Sequence, residues 1–396
     1  MTESASRPPS EAGPGTVLTH LGRDPDSQFG FVNAPVYRGS TVLFKTLADI
    51  EAQSQPYLYG RAGNPTTRQV EEVVSALEGA DATILAPSGL AAVTLALLSC
   101  VAAGDEVLIT DSAYDPTRRF ATTFLKRMGI ASRFYDPRIG AGISGLLTEK
   151  TRAVLVESPG SLTFEIQDLP AIAEAAHKVG ARVIVDNSWA SPLYYKPLSL
   201  GADIVVHAAT KMFVGHSDAF GGTVSANGEH AADVEATRQQ LGLFTSGDEM
   251  FQVARGLRTL HLRMPEHQRR ALDIASWLEA QGAVSRVLHP ALPSHPDHAL
   301  WQRDFTGSGS LFAAILRPAP REALAAFLDG LKLFSMGYSW GGYESLCIPI
   351  WPDRIRSAVP WTEPGNAIRL HIGFEEVDDL KADLTAALKR YEAAAG

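Results

Sequence analysis

The sequence predicts an α/β fold, with a mainly parallel sheet in a large domain and a smaller α+β C-terminal domain. Three observations carry this. Short β-branched runs bounded by turn residues alternate with helical patterns from about Thr66, which is the rhythm of βαβ units. The rhythm changes after about Gly256. The 396 residues also exceed the size at which one core usually keeps growing, so two domains are expected.

Taken in order, TTRQVEEVVSALEG has helical spacing and closes on a glycine, as helices often do. ATILA reads as a short buried strand, and the PSG turn leads into an apolar helix, LAAVTLALLSCVAAG. EVLIT (strand), PTRRFATTFLKRMG (helix) and SRFYD (strand) follow, then AVLVES (strand), DLPAIAEAAHKVG (helix) and ARVIVDN (strand). DIVVHAATK is a strand running into a loop. Strands this uniformly apolar belong to a sheet covered on both faces.

Beyond Gly256 come an amphipathic helix, PEHQRRALDIASWLEAQ, and a Pro- and His-rich loop, HPALPSHPDHAL. A strand (LFAAILR), a helix (REALAAFLDGL), the segment KLFSMGYSWGGYES, a strand (AIRLHIGF) and a closing helix (DDLKADLTAALKRYEAA) complete the chain. The expected division is a flexible tail and N-terminal arm over 1–60, a large ligand-binding domain over 61–255 and the C-terminal α+β domain over 256–396. Within the first part, Met1 to Gly15 is rich in Ser, Pro, Glu and Gly and lacks an apolar segment. It is expected to be a tail rather than a secretory signal. The stretch before Gly60 has little periodic pattern and suits an arm reaching over a neighbouring subunit.

Composition narrows the function. A net charge of −9 argues against a nucleic-acid partner, since phosphate backbones are bound by clustered Lys and Arg. No apolar run approaches the roughly 20 residues that cross a bilayer. The two cysteines, Cys100 and Cys347, lie in apolar runs without disulfide or zinc spacing and read as buried small hydrophobes. A cytoplasmic protein is expected.

In an open α/β sheet, ligands bind outside the carboxyl ends of the strands. The polar residues that follow the apolar runs are Ser88 and Gly89; Asp111, Ser112 and Tyr114; Glu157, Ser158 and Gly160; Asp186 and Asn187; and His207, Thr210 and Lys211. Parallel strands bring all of them to one rim. The PSG turn before a helix offers amides to a phosphate, although strand–Gly–helix turns are common without one. Asp186 follows three aliphatic residues, Val183 to Val185, where a carboxylate needs a cation or strong donors; capping the next segment is the other reading. Lys211 is either a surface lysine or an amine held in a partly desolvated site. Tyr114 packs either against the protein or against a flat ring. An Asp and a Lys beside a phosphate turn and an aromatic ring form the set that pyridoxal phosphate requires.

Seven motifs carry a family resemblance: YGRAGNPT (Tyr59 to Thr66), PSG, ESPGS (Glu157 to Ser161), VDNSWA (Val185 to Ala190), ATKMFVGHSD (Ala209 to Asp218), RGLRTL (Arg255 to Leu260) and IRLHIGFE (Ile368 to Glu375). With them the chain resembles the Cys/Met-metabolism group of fold-type I pyridoxal-phosphate enzymes, from about Gly15 to its end. ESPGS, FSMGYSWGGYES (Phe334 to Ser345) and the segments His289 to Pro293 and Leu300 to Gly307 are similar to β-eliminating members rather than γ-acting ones. Gln239 to Met250 lies outside the matched segments.

The resemblance implies that Lys211, Tyr114 and Asp186 are catalytic: Lys211 bonds to the cofactor aldehyde, Asp186 pairs with the pyridine nitrogen and Tyr114 stacks on the ring. Ser88, the amides of Gly89 and Leu90, and the Thr210 hydroxyl would hold the phosphate. Tyr59 and Arg61 would reach the phosphate of a neighbouring subunit, implying at least a dimer and commonly a homotetramer. Arg369 would clamp the substrate carboxylate, with Ser339, Trp340 and Tyr59 beside it; a structural ion pair for Arg369 and a core position for Trp340 stay open. His207, His216 and His371 are read as structural. The implied reaction is β-elimination at a carbon–sulfur bond, L-cystathionine and water giving homocysteine, pyruvate and ammonia. The alternatives are a cysteine desulfhydrase or γ-lyase of the same group and a catalytically silent relative. The silent relative predicts loss of Lys211 or Asp186, and both are present.

Overall fold

A computed structural model describes residues 12–396. Most of the expected tail, up to residue 11, therefore lies outside the described residues. Its last part does not behave as a tail, because Pro14–His20 is a helix with proline in its first turn and Leu18 fully buried.

Seven strands form the larger sheet: β1 (Ala82–Ala86), β2 (Glu106–Thr110), β3 (Ala131–Tyr135), β4 (Thr151–Glu157), β5 (Arg182–Asp186), β6 (Ile204–His207) and β7 (Gly222–Ala226). Their order is β1-β7-β6-β5-β4-β2-β3. Strands β2 to β6 pair in parallel, and β7 runs antiparallel to both β6 and β1. Two reversals restore the direction, so β1 runs with the other five. The carboxyl ends of β1, β2, β4, β5 and β6 accordingly share one edge, as the sequence predicted. Strand β7 was not anticipated. It opens on glycine and carries Thr223 and Ser225 among its buried residues, and a short run with so few aliphatic side chains gives a weak periodic signal.

The smaller sheet is antiparallel throughout. It contains β8 (Val284–Leu288), β9 (Leu311–Leu316), β10 (Leu346–Ile350) and β11 (Ala367–His371), in the order β10-β11-β9-β8. LFAAIL in β9 is buried at every position, and alternation divides its side chains between two cores. Leu311, Ala313 and Ile315 join Val154, Val156, Val183 and Val185 of the larger sheet. Phe312, Ala314 and Leu316 pack with residues of the helices Leu260–Glu279 and Val377–Ala395. The first of these cores fastens the smaller sheet to the larger one. A third core covers the opposite face of the larger sheet with the helix Gly89–Leu98.

Several local expectations change. PTRRFATTFLKRMG is helical but widens to π geometry over Phe120–Leu125, where Thr122 and Thr123 hydroxyls donate back to the carbonyls of Arg118 and Arg119; such back-bonding loosens the ladder. The last three residues of the Pro- and His-rich stretch expected as a loop, His298 to Leu300, begin the helix His298–Asp304. Gln239 to Met250 spans the end of the helix Gly228–Gln240 and the start of Gly247–Leu257. Cys347 is fully buried as expected, but Cys100 is only partly so.

Candidate active site

Four neighbouring strands deliver the centre of the rim: Tyr114 follows β2, Glu157 ends β4, Asp186 ends β5 and Lys211 follows β6. Glu157 and Asp186 are register partners. Asp186 Oδ1 accepts from the Ser188 amide at 2.9 Å and the Ser188 hydroxyl at 2.6 Å. Ser188 Oγ in turn accepts from the Ala208 amide at 2.7 Å, fixing the turn that leads to Lys211. Among the described residues no hydrogen bond reaches Asp186 Oδ2. Burial raises the Asp186 carboxyl above the usual carboxylate range, against the Ser188 hydrogen bonds and the nearby His207 and Lys211, which lower it.

The Lys211 amine donates to Ser339 Oγ at 2.6 Å and stands 5.3 Å from the centre of the Trp340 ring. Burial first, and then the Arg369 cation, lower its pKa to about 8, with Asp186 opposing. Arg369, on β11, donates to the Ser339 carbonyl at 2.9 Å, and burial lowers its own pKa to about 10. No carboxylate pairs with it among the described residues, which removes the structural ion pair as an account of this arginine. Trp340 is partly buried at the margin of two cores, so it is both core-packed and next to Lys211.

Ser88 caps the helix Gly89–Leu98, its hydroxyl accepting from the Ala91 amide at 3.1 Å. The amides of Gly89 and Leu90 then have no intrahelical partner, as for the first amides of any helix. A side chain at Gly89 would overlap Ala208, so glycine lets the turn approach the lysine strand. Thr210 belongs to the same edge, but its hydroxyl is engaged by the backbone of Gly221, accepting at 3.1 Å and donating at 3.3 Å. Tyr114 is about half exposed (47%); its amide donates to Glu157 Oε2 at 2.7 Å. Tyr59 is equally open, and Arg61 donates to the Gln239 carbonyl at 3.2 Å.

His207 and His371 are buried, whereas His216 is exposed. His207 shares a hydrogen bond of 2.5 Å with buried Glu78, and His216 lies 2.7 Å from the Val214 carbonyl. His371 is bonded to Ser310 Oγ at 2.8 Å and accepts from the Gly341 amide at 3.2 Å. Asp111 leaves the rim altogether. Its carboxylate takes the amides of Ser357, Ala358 and Val359, the Ser357 hydroxyl and the Arg118 guanidinium. Two residues were missed as contributors: Ser188, hidden in VDNSWA as an ordinary turn serine, and Glu157, noted only as a strand-end residue.

These groups suit pyridoxal phosphate: amides for the phosphate, an open tyrosine for the ring face, an amine for the aldehyde, and a partly buried carboxylate with one oxygen left for the ring N–H. Fold and rim together define an enzyme of the pyridoxal-phosphate class. The chain belongs to the Cys/Met metabolism PLP-dependent enzyme family, whose model matches residues 15–389. A Rhizobium johnstonii relative bearing a cystathionine beta-lyase name is 50% identical over 378 residues, covering 94% of this chain and 95% of its own. Cystathionine beta-lyase MetC of Escherichia coli K12 is 40% identical, with 95% and 98% covered. The crystal structure of cystathionine gamma synthase from Xanthomonas oryzae superposes with a TM-score of 0.89 at 33% identity, covering 97% and 99%. Pyridoxal phosphate is thus the cofactor, as expected, and no described helix is long and apolar enough to cross a membrane.

Proposed function

We propose that this enzyme breaks the Cβ–S bond of L-cystathionine, consuming water and releasing homocysteine, pyruvate and ammonia. One observation carries the reading. Arg369, without an acidic partner, and the lowered Lys211 amine meet on Ser339 beside the open face of Tyr114. That geometry suits an α-amino acid, with its carboxylate on the guanidinium and its α-carbon near the amine. The β-lyase names of relatives at 40–50% identity support cystathionine as the substrate.

Pyridoxal phosphate, when bound, supplies an electron sink for the charge that develops at the substrate α-carbon. The other contributions belong to the chain. Asp186 would hold the ring N–H and so keep the sink positive. Lys211, with a pKa lowered toward neutrality, takes the α-proton. Arg369 orients the carboxylate through a two-pronged contact, while Ser339 holds amine and guanidinium in one geometry. Tyr114 covers the ring, and Ser88, Gly89, Leu90 and Thr210 form the phosphate end. The pair left at Cα forms the Cα–Cβ double bond as the C–S pair leaves on sulfur. The proton held by Lys211 passes to that sulfur to give the thiol of homocysteine, and water converts the three-carbon remainder to pyruvate and ammonia.

On this reading the chain divides into an arm (1–60), a cofactor part (61–255) and a C-terminal part (256–396), and the enzyme works in the cytoplasm. Tyr59 and Arg61 complete a neighbour's phosphate site in a homo-oligomer, at least a dimer and by family habit a tetramer. Exposure of Phe29 (96%), Leu43 (81%) and Leu47 in the arm supports a covering neighbour. Incubating the purified protein with L-cystathionine tests the function. Homocysteine with pyruvate is the expected result. Cysteine with 2-oxobutyrate identifies γ-cleavage and overturns it.

A further inference from the structure

Of the four residues spaced along the rim, Glu157 has no part in the reading above. We propose that Glu157 is a positioning residue: as an uncharged carboxylic acid it fixes the Tyr114 turn and leaves Asp186 as the only negative charge beneath the cofactor ring. The inference rests on the assignment of Tyr114 and Asp186 to pyridoxal phosphate made above.

Three observations carry it. Glu157 lies between its two clients, since β4 is flanked by β2, which leads to Tyr114, and by β5, which ends in Asp186. As register partners on parallel strands, Glu157 and Asp186 emerge on the same face of the sheet, with backbones about 4.8 Å apart. Finally, the only hydrogen bond to the Glu157 side chain among the described residues is the Tyr114 amide, at 2.7 Å.

Charge accounting then decides the protonation state. Two partly buried carboxylates stand side by side, and the cofactor ring brings one N–H cation, which falls to Asp186. The other ionisable groups around the site are Lys211, engaged by Ser339; Arg369, on the Ser339 carbonyl; His207, bonded to Glu78; and Asp115, paired with Arg119. None is paired with Glu157. A second ion without a counter-charge is strongly disfavoured, whereas a neutral acid keeps the amide bond on Oε2 and carries its proton on Oε1. In keeping with this, burial and then the Asp186 charge hold the Glu157 carboxyl well above the usual carboxylate range. The amide it anchors belongs to the residue whose ring covers the cofactor, so losing the anchor frees the stacking face.

The test uses the full chain with Glu157→Ala, Glu157→Gln and, as a reference, Asp186→Asn. Three quantities are read: the visible absorbance of the loaded enzyme, the affinity of the cofactor-stripped protein for pyridoxal phosphate, and kcat with KM. Glu157→Ala is expected to weaken cofactor binding and lower kcat by about tenfold each, the scale of one buried hydrogen bond. Glu157→Gln accepts the same amide bond without charge and is expected to recover both to within about threefold. If Gln proves as damaging as Ala, the charge itself is needed and the proposal falls. It also falls if Ala leaves affinity and absorbance unaltered while Asp186→Asn shifts them. If Asp186→Asn shifts neither, the cofactor assignment beneath the proposal is what fails.

Discussion

Ser339 Oγ accepts from the Lys211 amine at 2.6 Å while the Ser339 carbonyl accepts from Arg369 at 2.9 Å. One residue, with a left-handed φ of +78°, therefore sets the spacing between the two cations of the site. Non-glycine residues in that region carry strain that surrounding contacts must hold. Ser339→Ala keeps the backbone and removes the bond to the amine. It is expected to lower kcat/KM about tenfold, measured by steady-state kinetics on L-cystathionine; an unaltered value refutes the role.

The Lys211 amine, at about 8, makes cofactor capture dependent on pH. Only the unprotonated amine attacks the aldehyde. Below the midpoint the ammonium dominates, so capture by cofactor-stripped protein speeds up as pH rises through about 8 and then levels off. Arg369→Ala removes a cation that lowers this midpoint and should move it upward. Stopped-flow absorbance reads both; a wild-type midpoint in the free-lysine range contradicts the burial argument.

Arg369 without its guanidinium leaves a carboxylate unanswered. Arg369→Ala is expected to raise KM about a hundredfold, the scale of a lost charge-paired contact. Arg369→Lys should recover little of it, because a point charge cannot form the fork. Lysine restoring full affinity would mean that charge alone suffices.

Asp111 is fully buried and meets three backbone amides, a hydroxyl and Arg118. Asp111→Ala strands the buried Arg118 cation and frees the 357–359 segment. A loss of about 3–5 kcal/mol is expected, seen in denaturant unfolding of the loaded enzyme. A loss below about 1 kcal/mol would show the cluster to be no more than a surface-type pair.

Much of this was legible because strands buried on both faces must be continuously apolar. ATILA, EVLIT, TRAVLVE, RVIVD and IVVH all formed strands, and the polar residue after each was bound to arrive at one edge. Strand β7 escaped because Gly222, Thr223 and Ser225 dilute its apolar pattern. The Asp111 cluster escaped for another reason: its amide partners lie 246 to 248 residues away, and backbone donors leave no trace in residue type. The same holds for the Tyr114 amide on Glu157. Arg369, Ser339 and Lys211 are related in the sequence only by family motifs, since local pattern cannot relate positions 128 residues apart.

Gly341 has a φ of +92°, and a methyl group there would stand 2.9 Å from the Lys211 carbonyl carbon. At Gly342 a side chain would overlap Ser217. The strap beside the reactive lysine therefore meets it backbone to backbone at its rear, whereas Met336 (55%) and Tyr338 (91%) face outward at its front. Room for change in this segment is thus confined to one end. A library randomised at 336 and 338 is expected to yield mostly folded, active clones, while one opened at 341 and 342 yields mostly inactive ones.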